Sequence, residues 1–398
     1  MSEAEANMRR SFDVVIVGGG VIGSSIAYFL AESSDFTGSI AVIERDSTYA
    51  IASSSLSSSS IRQQFGTVPN IAMSAWSIEF LRQARAHLSV PDNVADIGLR
   101  EPGYLFLGGP GSEGYFRAKH EIQRSAGVPS LLLTPDDLRE RYPDLNADDV
   151  AIASVGLEKE GWFDGPGLHQ AFRRKARSLG VTYINGEVSG LDRVGSRIGA
   201  VVMADGQRIS CDTVVGAAGC WSGIIGRMAG IEVPVVPRKR CTFVLDSPAN
   251  TPAGHFLHDT TGVWIRPEGH LFICGTTPAH ENEADDFTLE VDYDLFDDEI
   301  WPALAHRMPG FERLRMLRAW AGLYEYNLFD HSAIIGRHPE IANFVLCTGF
   351  SGHGMMHSPA AGQGVADLIT FGEYRQIDLT EFGIERIAAN RPIPEHVY

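Results

Sequence analysis

The stretch Asp13-Val-Val-Ile-Val-Gly18-Gly19-Gly20-Val21-Ile22-Gly23 leaves few folds open to this chain. A short apolar run ends in Gly-x-Gly-x-x-Gly. A second apolar run, Ala41-Val-Ile-Glu44-Arg45, ends in an acid 21 residues after the last glycine. Strand, glycine turn, helix and acid in this order make the opening unit of a dinucleotide-binding α/β sheet. Gly18 permits the tight turn, Gly20 lets a pyrophosphate approach the backbone, and Gly23 lets the helix pack close on the strand. The helix points unpaired N–H groups and the positive end of its dipole at the phosphates, where Val21 and Ile22 form its first turn. Glu44 can accept hydrogen bonds from ribose hydroxyls. The motif calls for an adenine dinucleotide without saying which.

Composition narrows the partners. At 398 residues the chain can bury two cores. No apolar stretch approaches the roughly 18–20 residues that span a bilayer, so no transmembrane segment is expected. The first eleven residues, with Glu3 and Glu5, lack the apolar core of a signal peptide and read as a loose tail. A net charge of −17 argues against nucleic acid or an anionic membrane. Lys119, Lys159, Lys175 and Lys239 are the only lysines among 33 basic residues. The five cysteines, Cys211, Cys220, Cys241, Cys274 and Cys347, lie in or beside apolar runs without a C-x-x-C pair. Reduced thiols in a cytoplasmic protein are the expectation.

The Ser-rich segment Ser53 to Ser60 has the composition of a flexible linker. It starts nine residues after Glu44 and runs into Ile61-Arg62-Gln63-Gln64-Phe65-Gly66, so a loop pressed against a flat polar ligand is the better reading. The spacing predicts a helix over Asn70 to His87, a strand near Tyr104 to Leu107, a helix capped by Thr134, a helix from Gly165 to Ser178 and a strand after it. Thr213 to Gly219 is a buried strand. Past Val233-Pro-Val-Val-Pro237, the runs Arg240–Leu245, Gly262–Arg266 and His270–Cys274 alternate as an antiparallel sheet does. The acidic stretch Glu281 to Glu299 reads as a solvated face. Asn343 to Cys347 is again a strand. It leads into Thr348-Gly349-Phe-Ser-Gly352-His353-Gly354-Met355-Met356-His357, with a helix expected from Ala360 to Leu368. This second glycine turn at a helix N-terminus, far from the first, fits a flavin. A helix dipole there would stabilise the negative charge that a flavin gains at its N1–C2=O edge on reduction.

The chain resembles the D-amino-acid oxidase and sarcosine oxidase superfamily of FAD enzymes from Asp13 to about Phe382. The glycine fingerprint, Glu44-Arg45, the Ser-rich loop, Ala217-Ala-Gly219-Cys-Trp221 and Gly349 to Gly354 carry the resemblance. Trp320-Ala-Gly-Leu-Tyr324-Glu-Tyr326-Asn-Leu-Phe-Asp330 and Gln376-Ile-Asp-Leu379 are similar to the branch containing the FAD-dependent oxidoreductase-domain assembly factor of mitochondrial complex I. The resemblance implies a mixed α/β and α+β fold: a discontinuous Rossmann-like FAD domain (12–90, 145–235 and 322–375), an antiparallel-sheet substrate domain (91–144 and 236–321) and a docking tail (376–398). It implies non-covalent FAD held by Gly18, Gly20, Val21, Ile22, Gly23, Glu44, Arg45, Ser54, Ser55, Ser60, Val188, Ala218, Gly219, Trp221, Gly349, Gly352, His353, Gly354, Met355 and Met356.

At the reactive end it implies Arg62 and Arg240 as carboxylate clamps. Trp264 would wall the cavity, Tyr324 would face flavin or substrate, and His353 would sit at the tip of the second turn. Each residue has a plainer reading: surface salt bridges for the arginines, core packing for Trp264, a helix-end histidine for His353. The cysteine that binds flavin covalently in sarcosine oxidases is Gly322 here. Their oxygen-activating lysine falls at Phe272 or Ile273, and Met356 replaces a substrate-binding lysine. An acceptor other than O2, such as a protein or quinone, is therefore expected. His353 and His357 stand four apart without a third ligand, so no metal is expected. The implied activity is oxidation of an amino-acid-type amine, either secondary, N-methyl or D, by hydride transfer to flavin N5. The alternative is an assembly protein with structural flavin.

Overall fold

The computed structural model describes residues 10–278 and 286–396. The amino-terminal tail through residue 9 and positions 281–285 of the acidic stretch lie outside them. Asp292, Asp294, Asp297 and Asp298 of that stretch are exposed.

The first sheet is built around Ser11–Val17. Its six-strand path runs Ile334–His338, Ile341–Thr348, Arg208–Gly216, Ser11–Val17, Ile40–Glu44, Thr182–Asn185. Every pair is parallel except the first. Val15 sits between Ala41 and Val214. Such a strand is buried on both faces, so it reads as an unbroken apolar run rather than an alternation. Val14 and Ile16 enter one core, Val15 and Val17 the other. Val188–Val194 and Arg197–Met203 extend the sheet antiparallel from Arg208–Gly216.

Two helices with small-residue faces close one side. Val21–Glu32 packs on Gly354–Phe371, where Ser25 Oγ donates to the Ser358 carbonyl at 2.7 Å. A Cβ on Gly362 would overlap Ser25 Oγ. The second helix starts at Gly354, six residues before the expected Ala360, and carries Pro359 inside it. Proline cannot donate to Met355 O, but the Ser358 hydroxyl does, at 3.0 Å. The helix therefore continues through a residue that ordinarily stops one. The helix expected over Asn70 to His87 spans Val68–Arg82 and Ala84–Leu88, with a break at Gln83.

The second sheet has eight strands in the order Arg315–Asn327, Val235–Asp246, Leu271–Gly275, Trp264–Glu268, Phe256–His258, Tyr104–Gly108, Ile152–Gly156, Ser130–Leu133. All pairs are antiparallel except Phe256–His258 with Tyr104–Gly108. Ile152–Gly156 belongs to this sheet although it falls within 145–235, and Arg315–Asn327 runs across the 321/322 boundary. One face packs a core of Leu105, Phe243, Leu257, Ile265 and Phe272. The other carries Tyr104, Phe106, Phe256, Trp264 and Ile273. Ile273 shares the face of Trp264, and Phe272 the opposite one.

The tail docks on the first sheet's side. Leu379 and Phe382 are buried, and the Arg386 guanidinium clamps Asp330 in two hydrogen bonds of 2.9 and 3.0 Å. Glu395 accepts from Gly66 N–H at 3.0 Å, behind the loop that carries Arg62.

Candidate active site

A continuous cavity, with some 270 Å3 open to the centres of water-sized molecules, runs from Gly18 and Glu44 to His258 and Trp264. It lies beyond the carboxyl ends of Ser11–Val17 and Arg208–Gly216, where parallel sheets place their ligands.

At its first end the glycines do different work. Gly18 has φ +103°, and a Cβ there would collide with the Ala217 carbonyl. A Cβ on Gly23 would collide with Gly18 O. Gly20 is less confined: the nearest atom to a Cβ there would be Ser54 Oγ at 3.1 Å, a contact relieved when that side chain gives by a few tenths of an ångström. The helix it starts has no side-chain cap from Gly20. Ser54 Oγ accepts from Val21 N–H at 2.9 Å. Gly19 is braced from both sides: its N–H donates to Glu44 Oε2 at 2.8 Å, and its carbonyl accepts from His169 Nε2 at 2.9 Å and Ser24 Oγ at 2.8 Å. Burial drives the His169 pKa down to about 4, so the ring is neutral. Arg45 stacks on Trp221, 3.8 Å from guanidinium carbon to ring centroid. Both line the cavity with Val188, Ala218 and Gly219, as an adenosine site requires.

The Ser-rich segment is ordered wall rather than linker. Ser53–Leu56 forms a helical turn, with Ser53 Oγ donating to Leu323 O at 2.5 Å. Ser54 and Ser60 line the cavity; Ser55 does not. Gly23 and Gly349 also stand outside the lining. Every other residue expected at the site borders it.

At the far end Arg62 Nη2 meets His353 Nε2 at 2.9 Å, both buried. Burial first, then the Arg62 charge, pushes the His353 pKa well below its ordinary value. Glu160 holds the backbone beside Arg62: Oε1 accepts from Gln63 N–H at 2.6 Å and Gln64 N–H at 3.0 Å, and Oε2 accepts from the Gln64 side chain at 2.9 Å. Arg240 lies 5.1 Å from the Tyr324 ring centroid, and that ring packs on Gly352, where a Cβ would overlap it. Register explains the ceiling. Phe106, His258, Trp264, Gly275, Thr242 and Trp320 form one row across the second sheet.

Tyr104, Phe256, His258, Thr242 and Glu325 line the cavity without having been singled out from the sequence. Four of them depend on strand pairings that local pattern does not reveal. Glu325 stood inside a recognised motif, beside Tyr324. Its carboxyl is half-buried at the second glycine turn, where Oε2 accepts from Gly349 N–H at 3.0 Å and Thr348 Oγ1 at 2.9 Å. The turn's first N–H is thus turned to protein, while Gly354, Met355 and Met356 at the helix start face the cavity. Gly322 lines the cavity where a covalent anchor would stand, and the Cys241 thiol accepts instead from Asp292 N–H at 3.4 Å. Among the described residues no cluster of three or more His, Cys, Asp or Glu could hold a metal, and no helix is long and apolar enough to cross a membrane.

The family model described as FAD dependent oxidoreductase matches residues 13–368. The chain is 40% identical to FAD-dependent oxidoreductase domain-containing protein 1 of Xenopus laevis, over 96% of this chain and 84% of that protein. It is 27% identical to the mitochondrial sarcosine dehydrogenase of Mus musculus, over 94% of this chain and 41% of that longer protein. The crystal structure of L-proline dehydrogenase from P. horikoshii superposes with a TM-score of 0.84 at 27% identity, covering 97% of this chain and all of that one.

Proposed function

The chain belongs to the FAD dependent oxidoreductase family, and within it we propose that it dehydrogenates a secondary or N-methylated amino acid or a D-amino acid, passing electrons mainly to an acceptor other than O2. The observation that carries this reading is the buried Arg62 at the end of the FAD cavity, beside neutral His353 and under Trp264 and Tyr324. A guanidinium in such a place clamps a carboxylate in two parallel hydrogen bonds. Flavin supplies the two-electron acceptor.

The rest is positioning. Arg62 fixes the carboxylate, and the apolar ceiling of Phe256 and Trp264 excludes water from the carbon that is oxidised. The positive charges of Arg62 and Arg240 disfavour an ammonium and so favour the neutral amine, from which a hydride leaves without a strong protein base. The imine product is hydrolysed in water. L-proline and sarcosine, in the names of two similar proteins, are both secondary amines, which supports this substrate class. Ile273 on the cavity-side face, where sarcosine oxidases are expected to carry a lysine, supports slow use of O2. Gly322, where sarcosine oxidases are expected to carry the linking cysteine, supports a flavin held without a covalent bond.

Anaerobic titration of the holoprotein with secondary, N-methyl and D-amino acids tests the reading. Bleaching of the flavin absorbance by members of that panel supports it. Silence across the panel overturns it and favours a structural flavin.

A further inference from the structure

Glu325 is the one acid at the reactive half of the cavity, and the function proposed above leaves it unused. It stands on Arg315–Asn327, beside Tyr324, at the turn that starts the helix Gly354–Phe371. Gly349 N–H and Thr348 Oγ1 donate to its Oε2. Its Oε1 lies 3.1 Å from where a Cβ on Gly354 would be, so the carboxyl is in contact with the first residue of that helix. Thr348 Oγ1 also lies 2.6 Å from Ser222 Oγ, which fixes the hydroxyl. No positive side chain is hydrogen-bonded or ion-paired to Glu325 among these contacts. The titratable groups that face it are the thiols of Cys220 and Cys347, whose pKa values burial raises. Arg45 lies beyond Cys220.

We propose that Glu325 is a positioning residue that takes up a proton when the flavin is reduced, so that negative charge gained at the helix N-terminus replaces negative charge on the protein. A flavin in this cavity would place its N1–C2=O edge at this helix start, the anion site that the second glycine turn makes. Two anions side by side at this half-buried turn repel each other, and protonation of one relieves the repulsion. The Glu325 carboxylate, which lines the cavity, can neutralise by taking a proton from solvent. The balance is simple: two electrons and one proton enter the flavin at N5, and one proton from water converts the Glu325 carboxylate to the acid. Burial pushes the Glu325 pKa up to about 7, which leaves it poised between the two forms in neutral solution.

The inference rests on FAD lying against this turn and needs no amine, so dithionite-reduced holoprotein tests it apart from the substrate reading. Reduction-induced infrared difference spectra at pH 8 should show a carboxylic-acid band that appears on reduction, shifts in D2O and is absent from E325Q. Across pH 7.5–9 the midpoint potential should track two protons per two electrons in the wild type and one in E325Q, halving its slope. No new acid band in the wild type, a band that persists in E325Q, or an unchanged slope overturns the inference. E325D, which keeps a carboxyl, should retain the band. If E325Q fails to hold FAD, the wild type decides alone: an acid band that appears on reduction at pH 8 supports the inference, and its absence overturns it.

Discussion

Arg62 Nη2 and His353 Nε2 are 2.9 Å apart, and a guanidinium has no acceptor. His353 must therefore offer a lone pair at Nε2 and carry its proton on Nδ1. One hydrogen bond thus fixes the charge and tautomer of the imidazole and aims the guanidinium. Arg62→Ala removes the clamp. With about 2–4 kcal/mol for charged hydrogen bonds to a carboxylate, kcat/KM for the amino acid should fall roughly 30- to 1000-fold, mainly through KM. Stopped-flow flavin reduction against substrate concentration checks it, and an unchanged half-saturation concentration would remove Arg62 from the site.

Glu160 acts on Arg62 through the backbone. Glu160→Ala leaves two buried N–H groups without their acceptor, a loss of about 2–4 kcal/mol. Urea unfolding of the holoprotein should show a lower midpoint, with Glu160→Gln, which keeps an acceptor oxygen, in between.

Gly20→Ala separates folding from cofactor binding. A methyl group 3.1 Å from Ser54 Oγ needs only a small shift of that side chain but occupies the approach of the pyrophosphate. The variant should fold, with a native circular dichroism spectrum, and purify with a much reduced ratio of flavin to protein absorbance. Gly18→Ala, at φ +103° against the Ala217 carbonyl, should fail at the folding stage instead.

Acid should destabilise this protein early. Burial lowers the pKa of His169 to about 4 and that of His357 to about 3, and also depresses those of His255, His258, His338 and His353. The unfolded chain binds protons at these sites below about pH 6.5 and the folded chain does not, so stability is lost as pH falls from 6.5 toward 4. Each such site contributes up to about 1.4 kcal/mol per pH unit. Glu160 and Glu325, raised to about 7, work the other way between pH 7 and 4.5 because the folded state holds their protons. Six histidines outweigh two glutamates, so the Tm of the holoprotein should be nearly flat from pH 8 to 7 and fall steeply below 6.

Much of the cofactor end was legible because its determinants are local. Gly18, Gly20, Gly23 and Glu44 lie within one βαβ unit, and each glycine's role follows from the geometry of that turn. Arg62, His353 and Tyr324 were legible through resemblance. The ceiling was not. His258 and Phe256 reach the cavity because their strand pairs in parallel with Tyr104–Gly108, some 150 residues earlier, and no periodicity reports such a pairing. The early start of the helix at Gly354 escaped for a different reason: Pro359 reads as a barrier until the Ser358 hydroxyl is seen to serve the carbonyl it leaves open. Glu325 escaped because a half-buried acid on a mostly apolar strand gives no signal until its donors are known.

The helix Gly354–Phe371 rests on Val21–Glu32 across more than 300 residues of sequence, joined by Ser25 and Ser358. During synthesis the glycine fingerprint leaves the ribosome first, yet its neighbour and half of the flavin's surroundings are among the last segments made. A nascent chain stopped before Gly354 would present the phosphate turn without the wall that completes the pocket. Tight flavin retention would thus report that synthesis had passed the helix Gly354–Phe371.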